Sequence, residues 1–239
     1  MIVDGIVIRS VPVKEKDAMI TVINKDGITS FYAKGVLSLK SKNSPSLNLY
    51  TYGRYDLNQG PQSGLSLKEG TIIESFSEIM NHFESLAVAS FIDELTCKCV
   101  QSEDAYSIFP YLLNCLKALK NNFDPLTIAN IYFASLLNGM GIGLEVDYCV
   151  ISHQKSNIVA ISFADGGFIS RSCFKPETCD LLDARMLNIY RYLFRVSEES
   201  VEHIAFGKEE NIAIFKKLSD YLYNQTNTSL TSIELMLKI

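Results

Sequence analysis

The spacing of apolar residues changes near residue 76. Before it, apolar positions alternate or run in short β-branched stretches; beyond it they recur with a period of about 3.6. Residues 2–13 are apolar and β-branched, residues 18–23 continue the pattern, and Lys25-Asp26-Gly27 is a tight-turn signal leading into 28–33, which predicts a hairpin. A polar, basic, Ser-rich loop follows over 34–46. Leu47 is expected to open a strand in which Leu47, Leu49, Thr51, Tyr55 and Leu57 alternate with Asn48, Tyr50, Tyr52, Arg54 and Asp56. Residues 58–64 read as a turn and 65–76 as the next strand. About five strands in about 75 residues, joined by hairpins and one longer loop, is the amount of sheet that closes into a small barrel of the OB type.

Past Phe76, Ile79, Phe83, Leu86, Ala87, Phe91 and Leu95 mark one face of a helix. Further helices are predicted over 105–119, 125–137, 177–195 and 208–224, with a short one around Leu230, Ile233 and Leu237. Between the third and fourth, residues 147–175 break the pattern with a hairpin, 158–163 and 168–170, around Asp165-Gly166-Gly167. The expected architecture is α+β: a five-stranded barrel domain over 1–77, then a helical domain over 78–239 carrying the small insertion at 147–175.

Residues 125–144 carry no charge and are about as long as a bilayer span requires. Asp124 at the head, Thr127, Asn130, Ser135 and Asn138 within, and three glycines toward the end describe a buried, Asp-capped helix with a Gly-rich exit instead. No membrane association is expected. The chain has 239 residues, 47% hydrophobic and 21% charged, which suffices for a sizeable core and excludes a disordered or collagen-like protein. The N-terminal stretch has no secretory pattern, so the six cysteines are expected as free thiols in a cytoplasmic protein. The net charge of −5 is unevenly spread, +1 over residues 1–80 and −6 beyond, so a polyanion should meet the first part.

Catalytic chemistry is thinly represented. His82 and His203 are expected in helical stretches with no Ser or Cys nucleophile signature nearby, and Gly139-Met140-Gly141-Ile142-Gly143 follows a helix, where a phosphate-cradling loop would follow a strand. No enzyme is expected; a rival reading places Mg²⁺ on Asp4, Asp17 and Asp26 for strand cleavage. A structural zinc site would be sought between Cys149 and Cys173, but Ser152 and Ser170 stand where two further thiols belong, and His153 or Cys179 would complete only an irregular set. No cofactor is therefore expected. Binding is better represented: Tyr50, Tyr52 and Arg54 on one strand face offer rings to unpaired bases and a cation to phosphate, with Lys34, Lys40 and Lys42 on the neighbouring loop.

Asp4-Gly5-Ile6-Val7-Ile8-Arg9, Glu15-Lys16-Asp17, Asp26-Gly27-Ile28, Ala33-Lys34-Gly35-Val36 and Lys40-Ser41-Lys42 occur in this order. Leu136-Leu137-Asn138-Gly139-Met140-Gly141, Asp147-Tyr148-Cys149 and Gly166-Gly167 follow. The series resembles RecO, the bacterial recombination mediator of the RecF pathway, over nearly the whole chain. The resemblance implies an OB-fold joined to a helical domain with a zinc-ribbon-like insertion. It also implies DNA repair through binding single- and double-stranded DNA, annealing complementary strands, and loading RecA together with RecR and single-stranded DNA-binding protein, in the bacterial cytoplasm at the nucleoid. It puts Lys34 in the family's basic element, Lys40 and Lys42 in the loop after it, and Arg9 at the end of the first strand. It does not transfer zinc to Cys149 and Cys173, whose partners are Ser152 and Ser170. The alternative is a protein-interaction adaptor of the same fold with little DNA affinity.

Overall fold

The computed structural model describes residues 1–38, 40–60 and 64–239; Leu39 of the basic loop and residues 61–63 of the expected 58–64 turn lie outside them. β1 (Ile2–Pro12), β2 (Ala18–Asn24), β3 (Gly27–Ala33), β4 (Thr51–Gly60) and β5 (Gly64–Ser75) form a closed barrel in the order β1-β2-β3-β5-β4. All pairings are antiparallel except the β3–β5 closure at Tyr32 and Ser66.

β1 reads as a nearly continuous apolar run because both its faces are covered. Val3 and Val7 point into the barrel with Ile20, Val22, Phe31, Tyr55 and Leu57. Ile6 and Ile8 point outward into the helical core. A bulge at Ile8, between the Val7–Val22 and Arg9–Thr21 pairs, bends the strand so that one segment serves both cores.

The strand expected from Leu47 begins only at Thr51. Ser44–Leu47 is instead a 3-10 turn with Pro45 near its start, and it plugs one end of the barrel, where Tyr55 Oη donates to Ser46 O at 2.8 Å. Gly70 permits this approach, since a Cβ there would stand 2.4 Å from Ser46 Oγ. Alternation holds over 51–57, where Thr51, Tyr55 and Leu57 face inward, and fails over 47–50 because Leu47 is buried as a plug, outside any ladder.

Ser77–Asn81 is a 3-10 turn, after which α1 (Phe83–Cys99), α2 (Ala105–Lys120) and α3 (Pro125–Gly139) follow. α3 is buried on all sides from Leu126 to Leu137, as a helix apolar all round must be. The Asp124 carboxylate accepts the Thr127 N–H at 2.7 Å and caps it. The polar residues that spoke against a membrane span meet partners within the protein. Asn130 Nδ2 donates to Asn211 Oδ1 at 2.9 Å, and Asn211 Nδ2 donates to Thr127 Oγ1 at 3.0 Å. Asn211 belongs to α5 (Lys208–Thr226). Phe91, Phe133 and Phe215 knit α1, α3 and α5 with ring centroids 4.9 to 6.0 Å apart. Among the described residues no helix is long and apolar enough to cross a membrane.

The insertion is a small sheet in the order β7-β6-β8, built from β6 (Ile158–Ser162), β7 (Gly167–Ser170) and β8 (Asp180–Leu181). β8 and the Asp183 cap occupy the first part of the helix expected over 177–195, and α4 (Ala184–Leu193) starts where Asp183 Oδ1 accepts the Met186 N–H at 2.7 Å. α6 (Ile233–Met236) ends the chain. The two histidines expected in helices are outside them: His82 is the N-cap of α1 and His203 follows a 3-10 turn.

Candidate nucleic-acid interface

Ala18 pairs with Pro12 on one side and Ala33 on the other. The β1–β2 turn and the loop leaving β3 therefore share one end of the barrel. Val13 N–H donates to Asp17 O at 2.9 Å to close the turn, and Leu37 N–H donates to Lys16 O at 2.9 Å to join the two segments. The Asp17 carboxylate ties them more firmly, accepting the Gly35 N–H at 2.7 Å on Oδ1 and the Tyr32 hydroxyl on Oδ2. The Tyr32 hydroxyl, then the Gly35 amide, hold Asp17 below the usual carboxylate range, with the Lys14 and Lys34 charges adding to the effect. Gly35 sits at φ +67°, where a glycine is unstrained, and this turns the chain back toward the hairpin.

Lys14, Lys16 and Lys34 are exposed at this end, and Lys40 and Lys42 are exposed farther along the loop that leaves it. Among the described residues none of them forms an ion pair. Val11 and Met19, partners across β1 and β2, are exposed beside Val13 and Leu37. The arrangement is a set of mobile cations around an apolar saddle, which suits a backbone of phosphates with bases or sugars laid between them. Lys14 and Lys16 escaped the sequence reading. The signal for them was the hairpin itself, because any charge in the β1–β2 turn must neighbour the exit of β3.

The strand face expected from Tyr50, Tyr52 and Arg54 does not form. Tyr50 precedes β4, adopts φ +61° and is only 2% exposed. Its hydroxyl lies 3.5 Å from Ser90 Oγ of α1 and beside the buried Asp93, whose own carboxyl is pushed up by desolvation. A ring so enclosed has no face for a base. Tyr52 is half-buried against Phe109 of α2, with ring centroids 5.9 Å apart. Arg54 donates through Nε and Nη2 to both oxygens of Asp4, each at 2.7 Å. Arg9 is exposed on β1 opposite Thr21.

The three carboxylates of the cleavage reading are dispersed. Asp4 is spent on Arg54 and Asp17 on the loop, while Asp26 lies past the far end of the seven-residue β2. At about 3.3 Å per residue no cation spans Asp17 and Asp26. A cleft of about 640 Å³ opens at that far end between the barrel and α2 and is lined by Asp4 and Asp26 together with Lys25, Tyr52 and Phe109. Its two carboxylates against one lysine make it a poor seat for phosphate.

In the insertion, Cys149 and Ser170 are buried, and Ser152 and Cys173 are half-buried. Burial raises the Cys149 thiol, but the hydrogen bonds donated by Ser152 and Ser170 outweigh it and bring the group down to about 6. Cys179 packs with Ala160 and Ile169 in an apolar cluster against which Cys173 also packs, and His153 turns its ring onto Tyr148 at 5.6 Å.

Comparison with known proteins covers both parts of the chain. Residues 1–76 match the family described as Recombination protein O N terminal, and residues 80–233 match Recombination protein O C terminal. The DNA repair protein RecO of Bacillus cytotoxicus is 32% identical over 181 residues, 74% of this chain and 71% of the relative. That of Bacillus mycoides is 33% identical over 170 residues, 70% of this chain and 68% of the relative.

Proposed function

The chain belongs to the RecO family of recombination proteins, and from that premise we propose that it acts in DNA repair as a non-enzymatic mediator that binds single- and double-stranded DNA. In this reading it anneals complementary strands and helps load RecA, with RecR, on DNA coated by single-stranded DNA-binding protein. The observation that carries the reading is the set of exposed lysines around the barrel end where Asp17 ties the two loops, none of which forms an ion pair among the described residues. Annealing needs no bond to be made or broken. It needs two phosphate backbones screened from each other while base edges stay free, and lysines on a loop do this without regard to sequence.

The test is fluorescence anisotropy of a labelled single-stranded oligonucleotide at several salt concentrations. Binding should weaken steeply with salt. The triple variant Lys34→Glu, Lys40→Glu, Lys42→Glu should lose at least about tenfold in affinity at low salt and flatten the slope by roughly one unit per lost phosphate contact. Unchanged affinity would remove the loop from the interface.

A second reading, the adaptor, is favoured by one feature of the helical part. A groove of about 400 Å³ between α5 and the C-terminal segment brings Tyr223, Leu230, Ile233 and Leu237 together, bordered by Lys216 and Asp220 and by three hydroxyl side chains. An adaptor would retain partner protein while showing no DNA binding tighter than about millimolar in the same titration.

A further inference from the structure

Two loops of the insertion each carry a thiol and a hydroxyl three residues apart, Cys149 with Ser152 and Ser170 with Cys173. The fold brings the four positions to one place. Ser152 N–H donates toward Cys149 Sγ at 3.5 Å, and Ser170 donates to the same sulfur. Ser152 Oγ and Ser170 Oγ stand 3.1 Å apart and share a hydrogen bond. From Ser170 the chain of contacts runs through Ser172 Oγ at 3.1 Å to Cys173 Sγ, a further 3.9 Å on. Behind them lies an apolar floor of Ala160, Ile169 and Cys179, with Val150 and Phe174 packed against it.

The zinc that the family resemblance implies does not fit these residues. Zinc takes thiolate, imidazole or carboxylate donors, and a serine hydroxyl keeps its proton at neutral pH. Here the two hydroxyls are already engaged with each other, with Cys149 and, for Ser170, with Ser172. His153 is stacked on Tyr148, Cys179 is packed in the apolar floor, and among the described residues no group of three or more His, Cys, Asp or Glu side chains converges as a metal site.

We propose that the Ser152–Ser170 hydroxyl bridge joins the two loops in place of a metal, and that exchanging only these two serines for cysteine creates a four-thiolate site for a zinc-class divalent cation. The backbone is already shaped for it. Sulfurs at about 2.3 Å around a tetrahedral zinc stand about 3.8 Å apart. The two hydroxyl oxygens are 3.1 Å apart, and the longer carbon–sulfur bond leaves the sulfurs to part by a fraction of an ångström. The amide that reaches Cys149 Sγ is the kind of outer contact that orients a metal-bound thiolate.

The experiment uses the full chain and reads metal, so its result is independent of DNA binding. Wild-type protein should purify without stoichiometric zinc and melt at the same temperature with or without EDTA. The Ser152→Cys, Ser170→Cys double variant should take up one Co²⁺ per chain, with the visible absorption of a tetrahedral thiolate site, and lose that colour when Zn²⁺ is added. Ser152→Ala, which keeps the fold but removes the bridge, should lower the melting temperature by about 2–4 °C. Stoichiometric zinc in wild-type protein, a melting temperature unmoved in Ser152→Ala, or a folded double variant that stays colourless with Co²⁺ would each overturn the proposal.

Discussion

The lysine end of the barrel and the buried seams of the helical domain handle polar groups in opposite ways. At the barrel end one carboxylate, Asp17, is used to hold backbone and a tyrosine hydroxyl in place, and among the described residues the surrounding lysines are exposed and form no ion pair. In the helical domain many polar groups are drawn into buried pairs, although Asp93 Oδ1, Asn130 Oδ1 and Asp147 Oδ1 stay buried without a partner among the described residues. Asn211 bonds Asn130, Thr127 and Asp124, and Glu94 accepts from the amides and hydroxyls of Thr231 and Ser232 and from Lys98. Charge left uncompensated in water costs little and is available to a polyanion, whereas a polar group left uncompensated in a core costs stability. The contrast separates the part of the protein proposed to bind DNA from the part that holds its shape.

The largest expected effect comes from breaking the buried seam. Asn211→Ala strands Asn130 and frees Thr127, and should lower unfolding free energy by roughly 2–4 kcal/mol in urea melts. Once folded it should bind DNA as wild type does; a loss of affinity in folded Asn211→Ala would show that the two regions are not separable.

Glu94 sharpens the same contrast through pH. Desolvation raises its carboxyl, but the hydrogen bond from Lys98, followed by those from Ser232 and Thr231, brings it to about 2, below the usual 4.5. A depressed folded-state pKa contributes stability that is complete above the unfolded value and is lost as the pH falls toward about 2. Glu94→Gln should cost about 1–2 kcal/mol at pH 7, after allowance for solvent screening, and the difference from wild type should vanish near pH 2. A difference that persists undiminished at low pH would mean that shape, and not charge, holds the C-terminal segment.

The smallest effect is expected at Arg54. Its ion pair with Asp4 is exposed, and Arg54→Ala should change stability by less than about 0.5 kcal/mol. With its guanidinium already occupied, the same change should alter DNA affinity less than about threefold, by the same anisotropy titration. A larger loss would bring the β4 face back into the interface.

Where local pattern and tertiary demand coincide, the chain could be read directly. The change of period after Phe76, the Lys25-Asp26-Gly27 hairpin, the Asp124 cap and the charge-free run of α3 each depend on neighbours in sequence, and the order of short motifs pointed to the family that both domain matches show. The binding surface was harder to read. Lys34, Lys40 and Lys42 stood out because a basic, Ser-rich loop is visible locally, while Lys14 and Lys16 joined them only through strand pairing.

What the sequence by itself determined is the set of elements with strong local signals, because period, capping and turn chemistry act over a few residues. What only the tertiary structure decided is which side chains meet. Tyr50 alternates correctly for an exposed strand face, yet the barrel plug at Ser44–Leu47 and the approach of α1 turn it inward. Arg54 is free in the sequence and bound in the fold, since Asp4 arrives beside it from fifty residues away. Ser152 and Ser170 are eighteen residues apart until β6 and β7 bring them together. Contacts of this kind depend on closure of a sheet and packing of a core, and no local pattern encodes them.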